Sequence, residues 1–470
     1  MPTAAGVEQV SPAPQQLAWR AVASPAQATG SADAGAQPAA GARSQPGSNG
    51  TEPAGPPVAP HAARPPDRRL GDWALLAITA ALTLPVLWLG YGTDLDIGDV
   101  RRTGTLIRNR DYFPSRNPGV PVFETLVAAF DPLGHLALNL LAALAAAAAV
   151  VGVARLVTEW GRANGDLVAL AFLAAPITLI SATSTTDFIY AVAFFIWGAV
   201  LHRRDRSLLA GVLFALAIGS RSSTFMLVAA FLAADAWAPG RRLRALRTGL
   251  VVVPLSLLIY VPPWLAYDRT TGFLEHTNGW RGLANNLGRF AYKNYAVAGI
   301  PLILVALVAL PALVGALRAW NRDSMVRTAA LGFVVTELLF LQLPWKPGHL
   351  LPALLMLVLW VAASERNTRP FLWLLIGAIA LNGLVSFRPL APDEPDQSQS
   401  ARFEPEISLG LVANDVRCRA RYMDTEPQRL DNDGSLDELA PWFCFLEPMR
   451  GPTDTAARPG AAIDPAAPVG

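Results

Sequence analysis

Between Tyr91 and Phe130 the chain reads YGTDLDIGDVRRTGTLIRNRDYFPSRNPGVPVFETLVAAF, a charged insert punctuated by Pro and Gly between two long apolar segments. Asp94, Asp96 and Asp99 stand at its start, and Arg101, Arg102, Arg108, Arg110 and Arg116 follow. A carboxylate held near a hydroxyl is a general base, and the arginine fork matches phosphate oxygens. Acids at the end of an apolar segment, beside this many arginines, point to a base next to a phosphorylated leaving group. The competing reading is a solvated charge cluster on surface helices.

Polar residues interrupt apolar runs in three further places. Asp187 closes Ser181-Ala182-Thr183-Ser184-Thr185-Thr186 at the start of an apolar run, as a helix cap or as a second acid facing the same cavity. Arg221 lies in Gly219-Ser220-Arg221-Ser222-Ser223 between two segments short for a membrane crossing, where arginine is costly unless paired or facing a polar cavity. Lys346 and His349 share the turn Pro344-Trp345-Lys346-Pro347-Gly348-His349, which could equally be an interfacial anchor. His135, His276 and His349 are candidates for a metal ligand, but no pair has diagnostic spacing and interfacial histidines are the simpler account.

What must position these residues is a series of apolar runs of about 20 residues, each long enough to cross a hydrocarbon core as a helix. Spans are expected near 73–91, 133–157, 167–181, 188–201, 208–218, 225–237, 250–265, 297–320, 329–343, 350–363 and 372–387. Arg64, Arg68 and Arg69 precede the first span, and Arg203, Arg204, Arg241, Arg242, Arg244 and Arg247 lie in later loops of the same side. The positive-inside rule puts that side, with the N-terminus, in the cytoplasm and everything from Arg388 outside. The first loop, Asp187, Arg221, a long polar loop at 266–296 and the Lys346 turn then gather on the outer face. Arginines in the first loop oppose the rule, which strengthens the case for an anionic partner. Within that loop Ile97, Val100, Gly104 and Ile107 recur at helical spacing, as do Phe123, Leu126, Val127 and Phe130, so two amphipathic helices are expected.

The composition agrees. Of 470 residues 52% are hydrophobic and 16% charged, against roughly 25% charged in a soluble domain. The expected fold is an all-α polytopic membrane protein of about eleven transmembrane helices. Residues 1–70 read as a disordered cytoplasmic tail, 71–387 as the membrane module, and 388–470 as a small, partly disordered external region. No apolar stretch near Met1 makes a secretory signal. The arginines are scattered, which argues against nucleic acid. The two cysteines, Cys418 and Cys444, lie in the C-terminal region and form one candidate disulfide if that region is outside the cell.

Taken together this layout resembles the C-type glycosyltransferase superfamily, the polytopic enzymes that use polyprenyl-phosphate sugars, including protein O-mannosyltransferases and their family 39 relatives. The resemblance spans about 73–387. It rests on the acid after the first span, Ser115-Arg116-Asn117-Pro118-Gly119-Val120-Pro121, Asp187, Ala210-Gly211 through Arg221, and Lys346-Pro347-Gly348-His349-Leu350-Leu351-Pro352. It implies a plasma-membrane enzyme that moves a sugar from a lipid-phosphate donor to an external glycan, lipid or protein acceptor, with inversion. Carried over, Asp96 is the base because its spacing to Pro118-Gly119 is similar to that of relatives, and Asp94 is its rival because the usual Asp-Glu pair is replaced here by Asp94-Leu95-Asp96. Arg116, Arg221, Lys346 and His349 would hold the donor phosphate, with Asp187 and Glu124 as supporting acids. Some members use a divalent metal, so a metal stays open. A lipid-linked sugar flippase or transporter, and a membrane polysaccharide polymerase or ligase, are the alternatives.

Overall fold

The computed structural model describes residues 70–94, 96–267, 283–344, 346–394 and 397–422. The expected N-terminal tail, His276, Trp345 and Cys444 lie outside the described residues. Each apolar run read from the sequence carries a helix, in chain order α1 (Asp72–Thr83), α4 (His135–Glu159), α5 (Gly165–Leu173) with α6 (Pro176–Thr183), α7 (Phe188–Arg203), α8 (Ser207–Ser220), α9 (Thr224–Ala236), α10 (Arg242–Ile259), α12 (Leu283–Ala316), α13 (Ser324–Gln342), α14 (Leu351–Ala363) and α15 (Arg369–Leu384). Between the first two lie α2 (Asp96–Arg108) and α3 (Pro121–Phe130), the amphipathic helices expected in the first loop, and a short α11 (Val261–Ala266) continues α10.

Among the described residues four helices are long and apolar enough to cross a membrane, and α5 with α6, bent by 70°, would make a fifth. The remaining apolar helices have 10–17 residues, so eleven full spans are not established. Pro176 at the first position of α6 explains the bend, because proline cannot donate to the preceding turn. The packed centre runs through α4, α5, α7 and α14, where small residues such as Ala142, Ala146 and Ala149 allow close approach. At the periphery α10 buries only 11% of its apolar window, leaving Leu250, Leu257 and Leu258 outward, as a lipid-facing helix does.

Two expectations fail. The polar loop at 266–296 is shorter than read, since α12 begins at Leu283; it then breaks at Gly299, where Asn382 of α15 donates to the carbonyls of Ala296 and Val297. Nor is the chain all-α. After α15 an antiparallel hairpin, β1 (Val385–Glu394) and β2 (Gln397–Leu409), returns the chain to the end of α15 and leads into α16 (Leu411–Tyr422). The alternation in this stretch is interrupted by two register shifts and by Pro389 and Pro392, which hid the strands from a pattern reading.

Candidate active site

The first loop is shaped by where its backbone must turn. The chain leaves α1 through Pro85 and bends at Gly92, whose φ of +120° and close approach to Ser184 exclude a side chain. Asn139, a lone amide within apolar α4, donates to the carbonyls of Leu87 and Gly90, while the Thr185 amide donates to Tyr91 O at 2.7 Å. The stretch carrying Asp94 is therefore laced to the turn that carries Asp187.

The acids and bases then form one alternating ionic chain. Lys346 Nζ donates to Asp94 Oδ1 at 2.5 Å and stands 2.6 Å from Asp96 Oδ1. Arg116 donates from Nη1 to Asp96 Oδ2 and from Nη2 to Asp187 Oδ2 at 2.5 Å. Arg221 Nη1 donates to the same Asp187 oxygen at 2.8 Å, and its guanidinium lies 3.9 Å over the Phe188 ring. Lys346 reaches this point because Gly348 passes against the Phe188 ring with no room for a Cβ.

Three carboxylates and three cations balance here. Burial works against the charge of Asp187, but Arg116 and Arg221 outweigh it and hold the carboxyl below its ordinary pKa. Burial likewise opposes the charge on Arg116, yet Asp187 and Asp94 keep its pKa raised. For Arg221 and Lys346 burial prevails and both pKa values are lowered, against the pull of Asp187 and Asp94 respectively. Each cation is thus held by a carboxylate and retains donors for an incoming anion.

Other candidates fall elsewhere. Glu124 is fully buried on α3, inside the stripe read as apolar, and accepts from Tyr112 Oη at 2.7 Å, Ser115 N at 2.9 Å and Ser115 Oγ at 2.6 Å. It shapes the loop that presents Arg116 and does not touch the ionic chain. Of the other first-loop arginines, Arg101 and Arg108 are drawn to Asp131, at 2.8 and 3.6 Å, and Arg101 also stacks on Tyr91. These pairs join α2 to the end of α3. Among the described residues Arg116 is the first-loop arginine that pairs with Asp96 and Asp187. His349 packs its ring against Phe188 and Phe340, at 5.7 and 6.4 Å, beside the chain but not in it. His135 meets Tyr91 edge-on at 5.6 Å.

Asp94, Asp96 and Asp187 each pair with a cation, and among the described residues no group of three or more His, Cys, Asp or Glu is placed to hold a metal ion. Cys418 is buried and is not a free thiol.

No protein-family model matches the chain, and no curated protein does. Two solved structures match: ArnT from Cupriavidus metallidurans bound to undecaprenyl phosphate, at 19% identity over 66% of this chain and 62% of that one with a TM-score of 0.49, and ArnT from the same organism in the apo state, at 19% identity over 64% and 60% with a TM-score of 0.45. The chain spans less than two thirds of the length of either.

Proposed function

We propose that this protein is an integral membrane glycosyltransferase that takes a sugar from a polyprenyl-phosphate donor and passes it to a hydroxyl of an acceptor on the outer face of the membrane. The observation that carries this reading is the convergence of Asp94, Asp96, Asp187, Arg116, Arg221 and Lys346 from distant parts of the chain to one point beside apolar helices. A lipid-linked phosphodiester needs such a place, with cations at the phosphate and an apolar approach for the chain. A transporter of the same lipid would need the cations but not two carboxylates adjacent to them.

In the proposed reaction Arg116, Arg221 and Lys346 hold the donor phosphate, with His349 bordering it. Asp96 takes the proton of the acceptor hydroxyl as its oxygen forms a bond to the anomeric carbon. The bond from that carbon to the phosphate oxygen breaks, and the lipid leaves as a phosphate monoester. A single displacement inverts the anomeric centre. Asp96 is preferred to Asp94 because both Arg116 and Lys346 contact it, so a phosphate that engages these cations loosens their hold on this carboxylate and makes it more basic.

The test is transfer from radiolabelled polyprenyl-phosphate sugar, mannose or arabinose first, in membranes carrying wild type, D94N or D96N. Removal of a general base costs about 10²–10⁴-fold, so D96N is expected to lose at least the lower figure while D94N loses less. Equal activity in both variants overturns the base assignment. Movement of the intact lipid across the membrane, with no glycosidic bond broken, replaces the transferase with the flippase.

A further inference from the structure

Helix α16 reaches the site from a region to which the sequence assigned no role. Just before it stands Gly410, which packs without room for a Cβ against the backbone of Asn382 and Gly383 at the end of α15, and whose amide donates to Leu384 O at 2.8 Å. Its buried face carries Asn414, Asp415, Cys418 and Arg419. Asp415 accepts from Thr93 Oγ1 at 2.8 Å, immediately before Asp94 in the chain.

Arg419 is 3% exposed and spends its donors on two segments of backbone. On one side Nε donates to Leu89 O at 3.0 Å, and Nη2 to Val86 O and Gly90 O at 3.3 and 3.4 Å. On the other, Nη2 donates to Thr183 O at 2.6 Å and Nη1 to Thr183 Oγ1 at 3.1 Å. Asp415 Oδ2 takes a further bond from Nη1 at 3.3 Å. The first segment leads directly into Asp94 and Asp96, and the second ends α6 and leads into Asp187. A guanidinium suits this place because carbonyls past helix ends lack intrahelical donors and favour a cation.

We infer that Arg419 is a positioning residue: from α16 it ties the Val86–Gly90 backbone to Thr183 and so sets the spacing between the two acid-bearing segments that Arg116 must bridge. Its effect on turnover rests on the transferase reading, but its effect on the two segments does not. Lysine keeps the charge but is a single point donor, whereas the planar fork serves both segments at once. A role limited to charge is therefore rescued by R419K, and bridging is not.

The experiment compares wild type, R419K and R419A as full-length purified protein, by hydrogen exchange and by transfer kinetics with the polyprenyl-phosphate sugar. Local opening is expected to speed exchange of the Thr185 amide, which is bonded to Tyr91 O, by roughly tenfold or more in both variants while α13 stays protected. Turnover falls by about 10²-fold, the scale on which a misplacement of about 1 Å acts, with donor KM unchanged. Unchanged exchange at Thr185, or an R419K variant that matches wild type in exchange and turnover, overturns the inference. So does loss of protection through all the helices, which would make Arg419 a general folding determinant. Faster exchange at Thr185 in a protein whose wild type transfers no sugar upholds the bridge and removes the transferase instead.

Discussion

Glu124 is the residue on which the two ways of assigning a carboxylate diverge most. As a reacting acid it would be as intolerant of amide substitution as Asp96. As the residue that shapes the 112–116 loop, it would tolerate Gln and fail with Ala. Its three partners, Tyr112 Oη, Ser115 N and Ser115 Oγ, lie 2.6–2.9 Å away. A hydrogen bond to a charged group contributes roughly 1.5–3 kcal/mol, and at the low end three come to about 4–5 kcal/mol lost in E124A. The low end applies because Tyr112 and Ser115 are half-buried and recover some water. In E124Q the amide oxygen still accepts both Ser115 bonds, and the amide nitrogen donates to the Tyr112 oxygen, so the loss is about 1–2 kcal/mol. Thermal unfolding in detergent is expected to place E124A well below E124Q, and E124Q near wild type. In the transfer assay E124Q keeps its donor KM, while E124A raises it as Arg116 loses its platform. A folded E124Q with a wild-type midpoint and no turnover would refute this reasoning and return Glu124 to the reacting groups.

The other expectations follow from the same ionic geometry. Because the folded-state pKa of Asp187 is depressed, its stabilisation is complete above the unfolded value of about 3.9 and is lost as pH falls through the folded value. The unfolding midpoint of wild type should therefore drop in that acid window, and D187N should have a lower midpoint at neutral pH and a flatter profile; a wild-type-like profile in D187N would deny the carboxylate its role. R101A removes a charge-assisted bond to Asp131 and a stack on Tyr91, worth roughly 1.5–3 kcal/mol, and should lower stability without changing donor KM, whereas R116A should raise KM. Equal KM effects from the two would restore the first-loop arginines as one anion site.

Much of the membrane architecture was legible because lipid imposes a crude rule, a long apolar run between polar ends. The rule misplaced the start of α12, where Asn286, Asn294 and Lys293 made a helix look like loop. It also missed the hairpin, whose residues carry no sustained alternation. Asp94, Asp187, Arg221 and Lys346 stood out as charges at the edges of apolar runs that need partners, and the family resemblance joined them with Asp96 and Arg116 as one site. Which charge pairs with which could not be read. Arg101 and Arg116 look alike in sequence, and only the distance to Asp131 or to Asp187 separates a scaffold from a site. Arg419 was hidden for a related reason: its partners are backbone carbonyls, which leave no mark in a sequence.

The charge balance at the site bears on why one set of cations should touch both a carboxylate and the place proposed for a phosphate. On the proposed reading the donor is a phosphodiester with one negative charge, and its departure as a monoester raises that charge towards two. Over the same step Asp96 goes from one negative charge to none by accepting the hydroxyl proton. The total is unchanged, so what the protein must accommodate is a displacement of negative charge from the Asp96 carboxylate to the leaving oxygen. Arg116 and Lys346, already at Asp96, need only redistribute their attraction along a short path, with no net charge to solvate. On that reading Arg221 also meets the phosphate, while Arg221 and Asp187 keep their own pairing through the step. Buried and mutually bonded, they hold the far end of Arg116 fixed while its near end serves first the acid and then the phosphate. That division of labour explains why Asp187 is the more buried carboxylate and Asp96 the more exposed one, with side-chain exposures of 4% and 28%.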